Sequence, residues 1–110
     1  MCGGRDFNDR ARLFDKLDGL LIKYGGFEVV IHGKAKGADS LAELWARSRK
    51  VPVKSFAADW DKFGKAAGPI RNQQMLEEGK PNLVVAFPGG RGTQDMITRS
   101  RRRRIEIICG

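Results

Sequence analysis

Four short apolar runs, rich in β-branched residues, punctuate this chain: Phe27–His32, Val53–Ala57, Leu83–Phe87 and Ile105–Cys109. The stretches between them carry apolar residues at three- and four-residue spacing, so strand-like and helix-like segments alternate. Strands alternating with helices over short loops read as a parallel sheet with right-handed crossovers. Leu83–Phe87 is apolar at every position, as a strand covered on both faces requires. The order predicts an α/β fold with a mostly parallel sheet of about five strands, the first truncated, and about four helices.

The helix boundaries follow from local chemistry. Leu13, Phe14, Leu17, Leu20, Leu21 and Tyr24 form one apolar stripe, with Asn8 or Asp9 as the cap and Gly25-Gly26 as the stop. A second helix is expected from about Asp39 to Arg49, with Leu41, Leu44 and Trp45 inward and Val51-Pro52 beyond its end. A third starts near Gly68-Pro69, where proline suits a first turn, and stops at Gly79-Lys80-Pro81. The fourth runs from about Thr93 to Arg103, anchored by Met96 and Ile97. At the start, Gly3–Phe7 reads as a loop leaving a strand, yet only Met1 and Cys2 precede it. The first strand is therefore a stub, or the sequence begins inside it.

At 110 residues the chain fits one domain spanning 1–110, with a core small enough that burying a face in a homo-oligomer would help it. The net charge of +8 favours phosphorylated or polyanionic partners. Arg99, Arg101, Arg102, Arg103 and Arg104 supply most of it, since without these five it would be +3. Cys2 and Cys109 lie at opposite ends, and His32 is the one histidine, so no zinc set and no metal site are expected, nor any cofactor. Both thiols read as reduced, and with neither a leader nor a membrane-length apolar run the expectation is a cytoplasmic protein with no membrane partner.

Four glycine-bearing loops fall where open parallel sheets collect ligands, at the carboxyl ends of strands. They are Gly3-Gly4-Arg5-Asp6, Gly33–Asp39, Gly64–Asn72 and Pro88–Thr93. In the last, Gly89, Gly90 and Gly92 are expected to take positive φ and let a ligand approach the backbone. Thr93 would then open a helix whose free N–H groups suit a phosphate, and Arg91 would add a charged hydrogen bond. The loop lacks the Gly-Lys-Ser/Thr of a nucleoside-triphosphatase motif. Ligand-binding candidates are thus Gly3, Gly4, Arg5, Asp6, Gly33, Lys34, Gly37, Ala38, Asp39, Trp60, Arg71, Asn72, Pro88, Gly89, Gly90, Arg91, Gly92 and Thr93. Asp39 is either a ligand contact or the cap of the second helix. Trp60 either stacks on a base or packs in the core. His32 reads as a hydrogen-bonded structural group before it reads as a base.

With these motifs in place, the ordered set GGRDF, HGKAKGADSLAELWA, PVKSFAADWDKFGKAAGPIRNQQML and LVVAFPGGRGTQDM resembles the YspA-type, cpYpsA-related branch of the SLOG superfamily. The resemblance implies a Rossmann-like three-layer domain that binds nucleotides or nucleotide-derived ligands. It also relates the chain to the LOG phosphoribohydrolases, whose phosphate loop is matched by Pro88, Gly89, Gly90, Gly92 and Thr93 and whose catalytic arginine is matched by Arg71. Their catalytic glutamate falls at Met96, which has no acid–base chemistry. Asp95 would project about 100° away on a helix. The catalytic residues stay open, with Arg71, Asp95 and Asp6 as candidates. The leading expectation is a nucleotide-like ligand bound in a sensor, sequestering or accessory role, including one in phage–bacterium signalling. A nucleotide-processing hydrolase is the alternative, and nucleic-acid binding through the arginine run is a second.

Overall fold

Residues 1–110 are described by a computed structural model. Helix α1 (Arg10–Tyr24) begins where the Asp9 side chain accepts from the Arg12 N–H at 3.1 Å, and ends at Gly25 in the left-handed conformation. Both are the devices that satisfy a helix's orphan backbone groups. Then follow strand β1 (Val30–His32), helix α2 (Ala38–Ser48), strand β2 (Val53–Ser55) and the single turn α3 (Trp60–Phe63). A 3₁₀ turn at Gly64–Ala66 leads into α4 (Ala67–Gln74), which widens into a π turn at Met75–Gly79. Strand β3 (Leu83–Ala86), helix α5 (Arg91–Arg102) and strand β4 (Glu106–Cys109) complete the chain.

The strands are parallel, but they form two two-stranded sheets, β1–β2 and β3–β4, rather than one sheet of five. The reason lies at the start of the chain. Cys2 makes a single parallel bridge to Ala86, donating to Val85 O at 3.0 Å and accepting from Phe87 N at 2.9 Å. On its other side the Met1 amine donates to Ile31 O at 3.1 Å. Two residues reach both pairs but are too few to carry a ladder between them.

Side chains alternate across the strands, so neighbours in β3 enter different cores. Val85 joins Leu13, Leu17, Leu20, Ala42, Trp45 and Phe87 beside α1 and α2. Val84 and Ala86 join Cys2, Phe56, Met75, Leu76, Met96 and Ile97 beside α4 and α5. Helices thus cover both faces of the strands. Trp45 is fully buried, and its indole N–H donates to Asp18 at 2.9 Å, as a buried indole requires. Arg49 clamps the same carboxylate through Nε at 2.8 Å and Nη2 at 2.9 Å.

Several boundaries differ from the sequence expectation. Leu44 is 43% exposed, because the inward stripe of α2 runs through Ala38, Ala42, Trp45 and Ala46 instead. The three alanines bring the backbone of α2 close to its neighbours, and Trp45 fills the space beside them. The third helix keeps its expected span, as α4 and its π turn over Ala67–Gly79, but α3 and a 3₁₀ turn that the sequence reading did not foresee precede it. Helix α5 opens at Arg91, two residues before Thr93.

Candidate functional site

The loops that leave Met1–Cys2, β1, β2 and β3 all emerge at the carboxyl ends of these segments, where an open parallel arrangement places ligands. They enclose a cleft of about 600 Å³, within the range of small-molecule sites.

The floor is tied together by backbone. Gly4 donates to Pro88 O at 2.9 Å and accepts from Ala38 N at 3.2 Å, so the first loop holds both the β3 loop and the start of α2. Gly37 has φ +75°, and a Cβ there would stand 2.2 Å from Gly4 O. Only glycine fits between these chains. Asp39 does not cap α2, because Gly37 is the cap position and carries no side-chain bond. Its buried carboxylate instead accepts from Gly33 N at 3.1 Å and Ala35 N at 3.3 Å, folding the β1 loop back on itself.

Arg71 projects from α4 across this floor. Its Nη1 donates to Gly33 O at 2.5 Å and its Nε to Asn72 Oδ1 at 3.1 Å. Burial pulls the guanidinium below its ordinary pKa; Asp39 opposes that shift and Arg5 adds to it. Asn72 is buried and donates to Gly92 O at 3.2 Å and to Asp95 Oδ2 at 3.0 Å, joining α4 to the first turns of α5. Arg99 closes the set, donating to Asp95 at 2.8 Å and to Gln73 at 2.9 Å. At the rim, the Arg5 guanidinium carbon lies 5.1 Å from the Trp60 ring centroid, and Trp60 is 47% exposed.

The first turn of α5 forms one wall. Gly90 is its cap position, with φ −99° and no side-chain bond to the helix, so the leading N–H groups receive no side-chain cap. The expected positive φ is absent at Gly89, Gly90 and Gly92. None of the three supplies a left-handed twist, and Gly89 alone serves clearance. At Gly89 a Cβ would sit 2.2 Å from Thr93 Oγ1 and 2.6 Å from Gly4 N, whereas at Gly90 and Gly92 it would meet nothing within 4 Å.

Of the residues singled out in the sequence, Gly3, Gly4, Arg5, Asp39, Trp60, Arg71, Asn72, Gly90, Arg91, Gly92, Thr93 and Asp95 come together on the cleft. Asp6, Gly33, Lys34, Gly37, Ala38, Pro88 and Gly89 do not line it. Ala38 is buried in the core beside α1, Gly33 lies under the Arg71 guanidinium, and Asp6 and Lys34 face solvent. His32 is buried with both ring nitrogens engaged: Nε2 lies 3.1 Å from Glu43, and Nδ1 accepts from Lys34 N at 2.9 Å. Lys65 lines the cleft and was missed, although it lies inside the glycine loop 64–72 that pointed there. Met75 was missed too, because nothing in the sequence distinguishes a floor methionine from a core one. Four basic side chains (Arg5, Lys65, Arg71 and Arg91) face two acids, Asp39 and Asp95, whose carboxylates are already bonded within the protein. The cleft therefore offers positive charge, the uncapped start of a helix and an exposed indole, a combination suited to an anion attached to a flat ring.

Comparison with known proteins bears on the family of the chain. The profile of the YspA, cpYpsA-related SLOG family matches residues 1–63, which takes in the first two glycine loops and Trp60. The chain is 34% identical over 113 positions to the Gene 61 protein of Mycobacterium phage D29, covering 96% of this chain and 90% of that protein. No solved structure matches.

Proposed function

The chain belongs to the YspA, cpYpsA-related SLOG family, and on that premise we propose that it binds a phosphate-bearing nucleotide or nucleotide-derived ligand in the cleft between its glycine loops. The observation that carries this reading is the pairing of a basic, uncapped wall at Gly90–Thr93 with Trp60 and Arg5 at the rim of the same cleft. In this reading the phosphate sits against the start of α5, near Arg91 and Arg71, and the base stacks at Trp60. The two strand pairs and the helices on both faces act as one Rossmann-like, three-layer domain spanning 1–110. Role follows chemistry: with the cleft's acids tied to backbone and side chains, binding suits a sensor or sequestering protein. Thermal-shift and calorimetric titration with mono-, di- and cyclic nucleotides and ADP-ribose derivatives tests it. At least one ligand should raise the Tm and lose affinity with Arg71→Ala; silence from all of them would overturn the proposal.

A hydrolase is the second reading, favoured by Asp95 lining the cleft with Arg71. Chromatography of nucleoside monophosphates after incubation reads base release directly. The position of the LOG glutamate gives this reading no help, because Met96 is buried among Cys2, Val84 and Ile97.

A further inference from the structure

The helices hand the chain back to the strands at the end opposite the cleft, and three of these returns share a backbone feature. Four residues other than glycine have positive φ: Lys34, Lys50, Lys80 and Arg104. All four are basic. Lys34 belongs to the β1 loop on the cleft side, but the other three stand where α2, the π turn after α4, and α5 end, just ahead of β2, β3 and β4. At Lys50 and Arg104 the helix closes as it does after α1. Val51 N donates to Ala46 O at 2.8 Å and Ile105 N to Ser100 O at 3.0 Å, as Gly26 N does to Leu21 O at 3.0 Å. After α1 the left-handed position is held by Gly25, the residue type that takes it freely. A residue with a Cβ in that conformation lowers the folded-to-unfolded ratio about fivefold or more. A cation beside the last carbonyls of an exposed helix returns about fivefold at most. Helix chemistry alone therefore gives lysine or arginine no advantage over glycine at these three turns.

These charges also go unanswered. Lys50, Lys80 and Arg104, with Lys23, Arg101 and Arg102 at the same end, are exposed and form no ion pair. Arg103 alone of the arginine run has an acid near it, Glu77 at 3.7 Å. Glu106 takes the Tyr24 hydroxyl at 2.6 Å, which leaves Glu28 and Glu78 as the other acids here. We propose that this end is a second binding face, which takes the phosphate backbone of a nucleic acid without regard to base sequence and independently of the cleft. The guanidinium forks of Arg101, Arg102 and Arg104 match phosphate oxygens two at a time, and Lys50 and Lys80 add point charges on either side. Stability given up at the three turns is thereby exchanged for cations fixed on a rigid backbone. An anionic bilayer is the poorer match, because surface-bound proteins press a continuous apolar stripe into it. Ile22, Tyr24 and Val29 are exposed at this end, but Ile22 and Tyr24 stand about 200° apart around α1 and Val29 lies in the loop before β1.

Fluorescence anisotropy with a labelled duplex of about 20 base pairs, repeated across salt concentrations, tests this. The logarithm of the binding constant should fall with the logarithm of salt at a slope of about −5, from about 0.9 per neutralised phosphate and six unpaired cations. The triple variant Lys50→Gly, Lys80→Gly, Arg104→Gly should make that slope shallower by about 3 and weaken binding at least about tenfold. Its Tm should stay level or rise, since glycine suits all three turns. Arg71→Ala should leave the duplex bound as before. No binding to the duplex, an unchanged slope in the triple variant, or a Tm lowered there by more than about 5 °C would overturn the proposal. Loss of the duplex with Arg71→Ala would move the phosphates into the cleft and overturn it too, as would binding to phosphatidylserine vesicles with none to the duplex.

Discussion

Replacing Gly37 by alanine probes how tightly the cleft floor is drawn together. Gly37 sits at φ +75° and ψ −123°, a region closed to residues with a Cβ, at a cost of about 1–3 kcal/mol. The added carbon would also stand 2.2 Å from Gly4 O and 2.5 Å from Arg5 O, so backbone must retreat by at least 0.8 Å to reach 3.0 Å. That retreat strips the Ala38 N–H of its bond to Gly4 O, worth about 1 kcal/mol more. The sum is about 2–4 kcal/mol, or a Tm lower by roughly 10–20 °C in a domain of this size. Gly19→Ala is the internal control. Gly19 lies within α1, where a Cβ meets nothing within 4 Å, so this change should add about 0.8–1 kcal/mol. Urea melts of the two variants beside the parent give both numbers. A Gly37→Ala loss under about 1 kcal/mol would refute the reasoning, because glycine would then not be required at the junction.

Three further outcomes follow from the same geometry. Gly92→Ala should leave stability unchanged or up to about 1 kcal/mol higher, since its Cβ faces open space, yet weaken nucleotide binding at least about tenfold by calorimetry; unchanged affinity would remove the start of α5 from the site. Hydrogen bonds from Arg49 and then Trp45 hold the Asp18 carboxyl below its ordinary value of 3.8. Because the folded state prefers the ionised form, this contribution is complete above that value and fades as pH falls below it, so Asp18→Asn should flatten the acid limb of stability against pH. Met96→Glu, which places an acid where the LOG enzymes carry one, should destabilise the protein by about 3 kcal/mol or more by burying a carboxylate, and chromatography should detect no base release.

Much of this architecture is legible in the sequence because it is written in local rules. Asp9 and Gly25-Gly26 mark α1 in advance, and the four apolar runs each contain a strand, although every strand is shorter than its run. The losses are tertiary. Phe27–Val29 has strand composition but lies outside β1, which begins at Val30, where the pairing with β2 starts. Leu44 suits an inward stripe until the nearness of α2 to the strands selects alanines. The glycines of the β3 loop read as positions of positive φ, whereas none adopts it and Gly89 alone is needed for clearance, against Thr93 and Gly4. In the cleft, the sequence names Arg71, Asn72 and the α5 wall. It cannot reveal that Asp39 and Asp95 spend their oxygens internally, since that depends on which loops meet.

The bonds converging on Gly4 carry a consequence for binding. Its N–H and C=O tether the β3 loop and the head of α2, and Phe7 N donates to the same oxygen at 3.2 Å. Three segments distant in sequence are therefore fastened at one residue before any guest arrives. A molecule entering the cleft meets walls whose ordering entropy was surrendered during folding, so little of its contact energy is diverted to arranging them. Its arrival should accordingly follow simple bimolecular kinetics, with an on-rate governed by charge and diffusion rather than by the closing of a flap.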